Sequence, residues 1–425
     1  MILEFSIKNY LSFRDKVVLS FEATNDSWLE SSHVVEIAPG VRVNKLGIVY
    51  GANASGKSNL ILAINYLIRF WKNKPDNKTE NTETVPFLLD EASRNLPSQF
   101  TLVFYADQIK HYYELEITPE NVIREKLVYY PGTQPAMVFS RVFENNVSKI
   151  EFGSTIRTSS AAKEEMAVKC LPNMSVFAAY MAVNVSIPEI NRVASWIDGQ
   201  LMRVVEPHSV LTSYVEQKMM EKSSIQSFVL NFLKEADYNI SDITTKKETK
   251  KVSESFVKLV TDMDIPEEEK IRLKNQGTIE TTLTVFTHQV TNKANQFEEH
   301  ELPESLQSQG TIRTMGIAGV ISQAVAQNAF LAIDEIESSL HPRLFEFIIE
   351  RFVALSDKAQ LLLTTHYDGL LEEKDLLRKD NIWFAEKGKD GSSKLYSLSD
   401  FQGLGRLSSI HKAYKFGKFG AVPNI

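Results

Sequence analysis

Eight consecutive residues, Gly51-Ala-Asn53-Ala54-Ser55-Gly56-Lys57-Ser58, carry the plainest chemistry in the chain. Glycines at the first and sixth positions let successive backbone N-H groups face one phosphate, and a helix starting behind them adds partial positive charge. Lys57 would hold the β- and γ-phosphates, and Ser58 would offer a hydroxyl to Mg2+. Gly51, Asn53, Ala54, Ser55, Gly56, Lys57, Ser58 and Asn59 are therefore the candidate contacts to ATP. The spacing matches the P-loop, which a chain of this length meets by chance about once in a hundred.

A second group is Phe330-Leu-Ala-Ile-Asp334-Glu335, an apolar run that ends in two carboxylates. Asp334 can accept from a Mg2+-bound water while Glu335 polarises the attacking water. Ser308-Gln-Gly310-Thr311 stands before the preceding apolar stretch, where a Ser-x-Gly turn at a helix start can cap a γ-phosphate or serve as an ordinary N-cap. Gln360 to Thr365 is another apolar run, and it ends in His366, placed to hydrogen-bond a γ-phosphate and orient water.

These groups need particular elements to position them. Leu46 to Tyr50 reads as a strand and Asn59 to Trp71 as a helix, which puts the glycines at a strand-to-helix junction. Ile2 to Ile7 and Lys16 to Glu22 alternate as an edge hairpin, and Phe100–Ala106, His111–Thr118 and Val122–Tyr130 read as a meander packed on that first sheet. Residues 73–84 are polar and read as an exposed linker. From about Pro188 to Lys274 the pattern is helical, including Ser227–Glu235 and Ser253–Met263, with a basic run at Lys246, Lys247, Lys250 and Lys251. Ile312 to Gln327 reads as a buried helix and Ala329 to Ile333 as a buried strand. The twenty uncharged residues between Arg313 and Asp334 are interrupted by Ser322, Gln323, Gln327 and Asn328, which argues against a membrane span.

Composition sets the limits. The chain has 425 residues, 24% charged and 43% hydrophobic, values expected of a globular protein with two or three lobes. One cysteine, Cys170, excludes an internal disulfide and points to a reducing, cytoplasmic setting. A net charge of -7 argues against coating nucleic acid through bulk positive charge, although a local basic groove remains compatible with it. No export signal is evident at the N-terminus.

With these residues in hand, the chain resembles the SMC-like, ABC-like cassette ATPases of AAA type found in bacterial phage-defence operons, the abortive-infection group that includes the PARIS and AbiL-like proteins. The resemblance rests on Asn9-Tyr-Leu-Ser-Phe13, the P-loop, Pro86-Phe-Leu-Leu-Asp90, Ser308-Gln-Gly-Thr311, Ile333-Asp-Glu-Ile-Glu-Ser-Ser-Leu-His-Pro342, Thr364-Thr-His366 and the tail Tyr414 to Pro423. It implies an α/β ATPase head, a P-loop mixed sheet with an antiparallel β subdomain, plus a helical lid insertion. The boundaries expected are 1–187 for the N-terminal part of the head, 188–280 for the lid and 281–425 for the C-terminal part.

The resemblance further implies hydrolysis of ATP with Mg2+ held by Ser58 and Asp334. It implies Glu335 and His366 as catalytic groups, and a head-to-tail homodimer in which Ser308 and Gly310 of one protomer close on the ATP bound by the other. His341 falls in the dimer-contact loop, with a structural role. Only 59 residues follow His366, too few for an appended nuclease domain, so the expected role is an anti-phage sensor or scaffold controlling a separately encoded effector. The alternative is a DNA-repair or DNA-end-processing ATPase that uses the lysines at 246–251. A transporter subunit fits the cassette motifs but not the β-rich insertion.

Overall fold

The computed structural model describes residues 1–236, 238–251 and 278–422. They form two compact units. One comprises Met1–His208, Ala324–Ser338 and the residues from Phe345 onward, and the other Ser209–Gln323 with Ser339–Leu344.

The first unit holds two main sheets. Strands β1 (Ile2–Lys8) and β2 (Val17–Ser20) form the expected hairpin. A small hairpin of β3 (Val34–Ala38) and β4 (Val41–Asn44) follows, and then β5 (Leu46–Tyr50) at the expected residues. The meander is β6 (Ser98–Ala106), β7 (Ile109–Ile117), β8 (Val122–Tyr130), β9 (Ala136–Glu144) and β10 (Val147–Phe152). It does not pack on the first hairpin as expected; β6 pairs antiparallel with β1, giving one seven-stranded sheet ordered β10-β9-β8-β7-β6-β1-β2. A pairing between residues about a hundred positions apart leaves no trace in local alternation.

In the second unit β11 (Ile240–Lys251), β12 (Thr278–Thr291) and β13 (Phe297–Pro303) make an antiparallel sheet. The helical reading is corrected here. Lys246, Lys247 and Lys251 lie in β11, opposite Leu283, Thr282 and Thr278 of β12, because pairing with a threonine- and valine-rich partner outweighs the helix preference of lysine. The helix Ser223–Glu235 is present, and the one expected at Ser253–Met263 lies outside the described residues. Buried Val215, Val229, Phe232, Leu233, Ile243 and Phe286 form this unit's core.

The sheet that carries the chemistry adds β14 (Phe330–Ile333), β15 (Gln360–Thr365), β16 (Ile382–Lys387) and β17 (Ser393–Ser397), in the order β14-β15-β5-β16-β17. The first four run parallel and β17 antiparallel. β14, β15 and β5 are buried throughout, as near-continuous apolar strands of a covered parallel sheet must be.

The helix Lys57–Lys72 is buried at ten of its positions, so it has little polar face left and belongs inside the unit. Tyr66 stacks on Phe100 at 5.3 Å, and Trp71 meets Tyr113 edge-on at 5.2 Å. One apolar cluster runs from these rings through Leu60, Ile61 and Leu67 to Val49, Ala332 and Leu362 of the parallel sheet. The two sheets are also tied directly. Buried Gln360 accepts from Ile2 N (2.6 Å) and donates to the carbonyls of Ile2 (2.8 Å) and Asn44 (3.3 Å).

Two buried ion pairs fix the periphery. Arg141 lies 3.3 Å from Glu125 and donates to Ser148 Oγ and to the carbonyls of Leu171, Pro172 and Met174. Arg378 forks onto Asp380 at 2.9 and 2.8 Å, and Thr24 donates to the same carboxylate through its N-H and hydroxyl. Burial pushes the Asp380 carboxyl up, but the bonds from Arg378 and Thr24 outweigh it and hold it below the usual carboxylate range.

Arg141→Ala removes the counter-charge of Glu125, whose carboxyl burial already pushes up, and strands the carbonyls and Ser148 Oγ that the guanidinium serves; it should cost about 3–5 kcal/mol, read from urea unfolding. The lowered Asp380 pKa adds stability above the unfolded carboxylate value that disappears as the pH falls through the folded one. Asp380→Asn should therefore flatten the acid limb of a stability–pH curve; an unchanged acid limb would contradict this assignment.

Candidate active site

β5 ends at Tyr50, and six residues turn the chain from a fully buried strand into a helix. The turn depends on left-handed backbone at Ala54 (φ 61°) and Gly56 (φ 110°). A Cβ at Gly56 would collide with Ser393 and stand 2.9 Å from Ser12 Oγ, and one at Gly51 would collide with the Ala385 carbonyl. Gly51 is therefore required by close approach, and Gly56 by close approach and by its left-handed backbone.

Lys57 is 4% exposed, and its ammonium donates to the carbonyls of Gly51 (2.8 Å) and Ala52 (3.2 Å), with His366 Nδ1 at 3.3 Å. Burial pulls its pKa down to about 8 against the attraction of Asp334, Glu335 and Glu337. Each fully buried Leu, Ile, Phe or Trp in the same helix contributes about 1.5–3 kcal/mol. Leu60, Ile61, Leu67, Phe70 and Trp71 together outweigh the several kcal/mol that desolvating one ammonium costs.

β14 delivers Asp334 and Glu335. Thr364, near the end of the neighbouring β15, donates its hydroxyl to Asp334 Oδ1 and accepts from Glu335 N at 2.9 Å. Glu335 sits at φ 45°, a strained conformation for this residue, and its Oε1 lies 3.4 Å from His366 Nε2. Glu337 Oε1 accepts from His366 N at 2.5 Å. Ser12, Asn53 to Asn59, Glu335, His366 and Lys387 line a cleft of about 550 Å³. A larger cavity of about 1180 Å³ adjoins it, sharing Asn53, Ser55, His366 and Lys387 and bounded by Gly51, Tyr414 and Lys415.

The structure thus brings together the P-loop residues, Asp334, Glu335 and His366. Ser308 and Gly310 lie in the second unit, where Ser308 Oγ accepts from Thr311 N at 3.0 Å and caps the helix Gln309–Gln327. His341 Nδ1 accepts from Arg343 N, a local structural contact.

A phosphate group fits this cleft on three counts. The glycine cradle has no room for side chains, Ser55 Oγ is buried without a partner, and Lys57 spends its donors on loop carbonyls. Mg2+ fits the same place by donor chemistry, since Ser58 and Asp334 are hard oxygen groups beside further carboxylates. Among the described residues no cluster of three or more His, Cys, Asp or Glu could hold a metal, at this cleft or elsewhere, and no helix is long and apolar enough to cross a membrane.

The family described as "AAA domain, putative AbiEii toxin, Type IV TA system" matches residues 48–146 and 218–372, more than half of the sequence. The chain belongs to this AAA-domain family. Solved structures similar to it include an SMC head domain from Thermotoga maritima (13% identity, 93% of this chain and 98% of that one, TM-score 0.41). An SMC head bound to the C-terminal winged-helix domain of ScpA is also similar (14%, 97% and 99%, 0.43), as is one with an extended coiled coil, bound to the C-terminal domain of ScpA, from Pyrococcus furiosus (14%, 98% and 98%, 0.38). No curated protein matches. Family membership implies ATP binding.

Sequence reasoning missed several residues. Thr364, Glu337, Ser12, Ser393 and Lys387 have roles set by pairing across strands, and only the Thr-Thr-His and Asp-Glu-x-Glu patterns hinted at the first two. The motif around Asn9 also acquires a reason. Its Nδ2 donates to the carbonyls of Ser93 (2.9 Å) and Leu96 (2.8 Å), and its Oδ1 accepts from Phe87 N (3.1 Å), tying the Pro86–Asp90 loop beside the Ser12–Ser393 floor.

Gly56→Ala should abolish binding of a fluorescent ATP analogue while leaving far-UV circular dichroism unchanged. Thr364→Val should keep binding and lower turnover at least tenfold, because Asp334 and the Glu335 turn lose their shared tether.

Proposed function

We propose that the chain is a cytoplasmic, Mg2+-dependent ATPase. The meeting of Lys57, Ser58, Glu335 and His366 in one cleft, with buried Asp334 behind them attracting Lys57, carries this reading. Lys57 would leave its loop carbonyls for the β- and γ-phosphates of ATP, the substrate. Glu335 is the base that would take a proton from the attacking water, and His366, held by Glu337 through its backbone and facing Glu335 through its ring, would orient that water. Bound Mg2+, held through Ser58 and Asp334, would supply charge neutralisation at the phosphates.

The working unit in this reading is an ATP-sandwiched homodimer in which Ser308 and Gly310 of one protomer complete the site of the other. Its output is a conformational switch that controls a separate effector, a toxin or nuclease, in anti-phage defence. The description of the family, a putative toxin of a type IV toxin–antitoxin system, supports the defence setting. The DNA-repair alternative has less support, since Lys246, Lys247 and Lys251 share their strand with Glu248, and so few lysines supply little of the charge a duplex groove needs.

Lys57→Ala should abolish ATP binding. Glu335→Gln should bind ATP, lose turnover by two orders of magnitude or more, and run as a dimer when its mass is measured in ATP. A Glu335→Gln protein that stays monomeric with ATP bound would refute the sandwich.

A further inference from the structure

The C-terminal segment from Tyr414 takes no part in the chemistry above, and the structure gives half of it a packing role. Tyr414 and Phe419 stack on Phe384 of β16 at 5.4 and 5.6 Å. Tyr414 also lies against Tyr50, the last residue before the P-loop, at 6.3 Å. The segment is closed by Tyr414 OH donating to the Ala421 carbonyl (3.0 Å) and Tyr396 OH donating to the Phe419 carbonyl (2.8 Å). The result is a fixed knuckle on the wall of the larger cavity beside the P-loop.

The other half points outward. Phe416 is 88% exposed, far more than any packing role requires. Lys412, Lys415 and Lys418 surround it in sequence and are all exposed. Lys415 and His411 engage Asp368, and His411 also engages Glu372, whereas among the described residues no ion pair engages Lys412 or Lys418. A lone exposed phenylalanine needs no explanation. One held at the tip of a rigid knuckle, ringed by lysines on an otherwise acidic protein and backed onto the P-loop strand, has the makings of a binding anchor.

We propose that this knuckle docks a separate protein whose surface offers an apolar pocket rimmed by carboxylates. Phe416 fills the pocket, Lys412 and Lys418 steer and orient the partner, and the Tyr414–Tyr50 contact links the docked surface to the P-loop. Single-stranded nucleic acid is the weaker match, because one ring and three lysines offer a single stacking platform and few released counterions. The inference rests on the proposed effector-controlling role and names where that effector binds.

The test places a photo-crosslinking residue, Phe416→p-benzoylphenylalanine, in the full chain expressed with its native neighbouring genes. The expected result is one protein adduct whose crosslinked peptide combines apolar with Asp or Glu residues. The purified pair should then bind at least tenfold more weakly after Phe416→Ala or Lys412→Glu/Lys418→Glu, and more weakly in high salt, while ATP turnover of the isolated chain is unchanged. An adduct to nucleic acid or to a second copy, no adduct, or a purified pair indifferent to both changes would overturn the proposal. Turnover measured in parallel separates the two readings. A chain that binds its partner through Phe416 but never hydrolyses ATP loses the enzyme assignment and keeps the docking surface.

Discussion

A short stretch of left-handed backbone between a buried strand and a buried helix is the constraint on which the rest of the first unit depends. Ala54 and Gly56 turn the chain, and Ser12, Ser393 and the Ala385 carbonyl stand so close that the two glycines admit no side chain. The loop is held from below by β16 and β17 and from behind by a helix sunk in aromatic rings. Its shape is thereby fixed before any ligand arrives, which is what a phosphate cradle built from backbone donors requires.

That rigidity also explains how the site tolerates its electrostatics. Lys57 is buried among carboxylates that attract it and burial that opposes its charge, and it satisfies its donors on the carbonyls of its own loop. An anionic ligand would replace those weak partners with strong ones, so the cleft is arranged to gain from phosphate what it lacks alone. Opposite it, Thr364 and Glu337 clamp the end of β14 to the end of β15, holding Glu335 in a strained conformation and His366 against it. Strain of this kind persists only where surrounding bonds over-determine it.

The periphery serves the same end. Asn9 draws the Pro86–Asp90 loop against the floor of the cleft, Gln360 locks the two sheets together, and the C-terminal aromatic residues seal β16 from the outside. Segments far apart in the chain converge on the P-loop.

The local chemistry was legible in the sequence. The P-loop, the paired carboxylates, the strand ending in His366 and the elements carrying them are set by side-chain periodicity and by glycines that only one kind of turn needs, so residues close in sequence sufficed. What the tertiary structure decided involves partners far apart. Residue Leu102 of β6 joins Phe5 of β1 rather than lying over it, Lys246 and Lys247 enter a strand because β12 pairs with them, and Thr364, Glu337, Ser12 and Ser393 become site residues only when strands from four parts of the chain align. Periodicity reports which face of an element is buried; it carries no information about which distant element will cover it, and that choice made a cleft out of separate motifs.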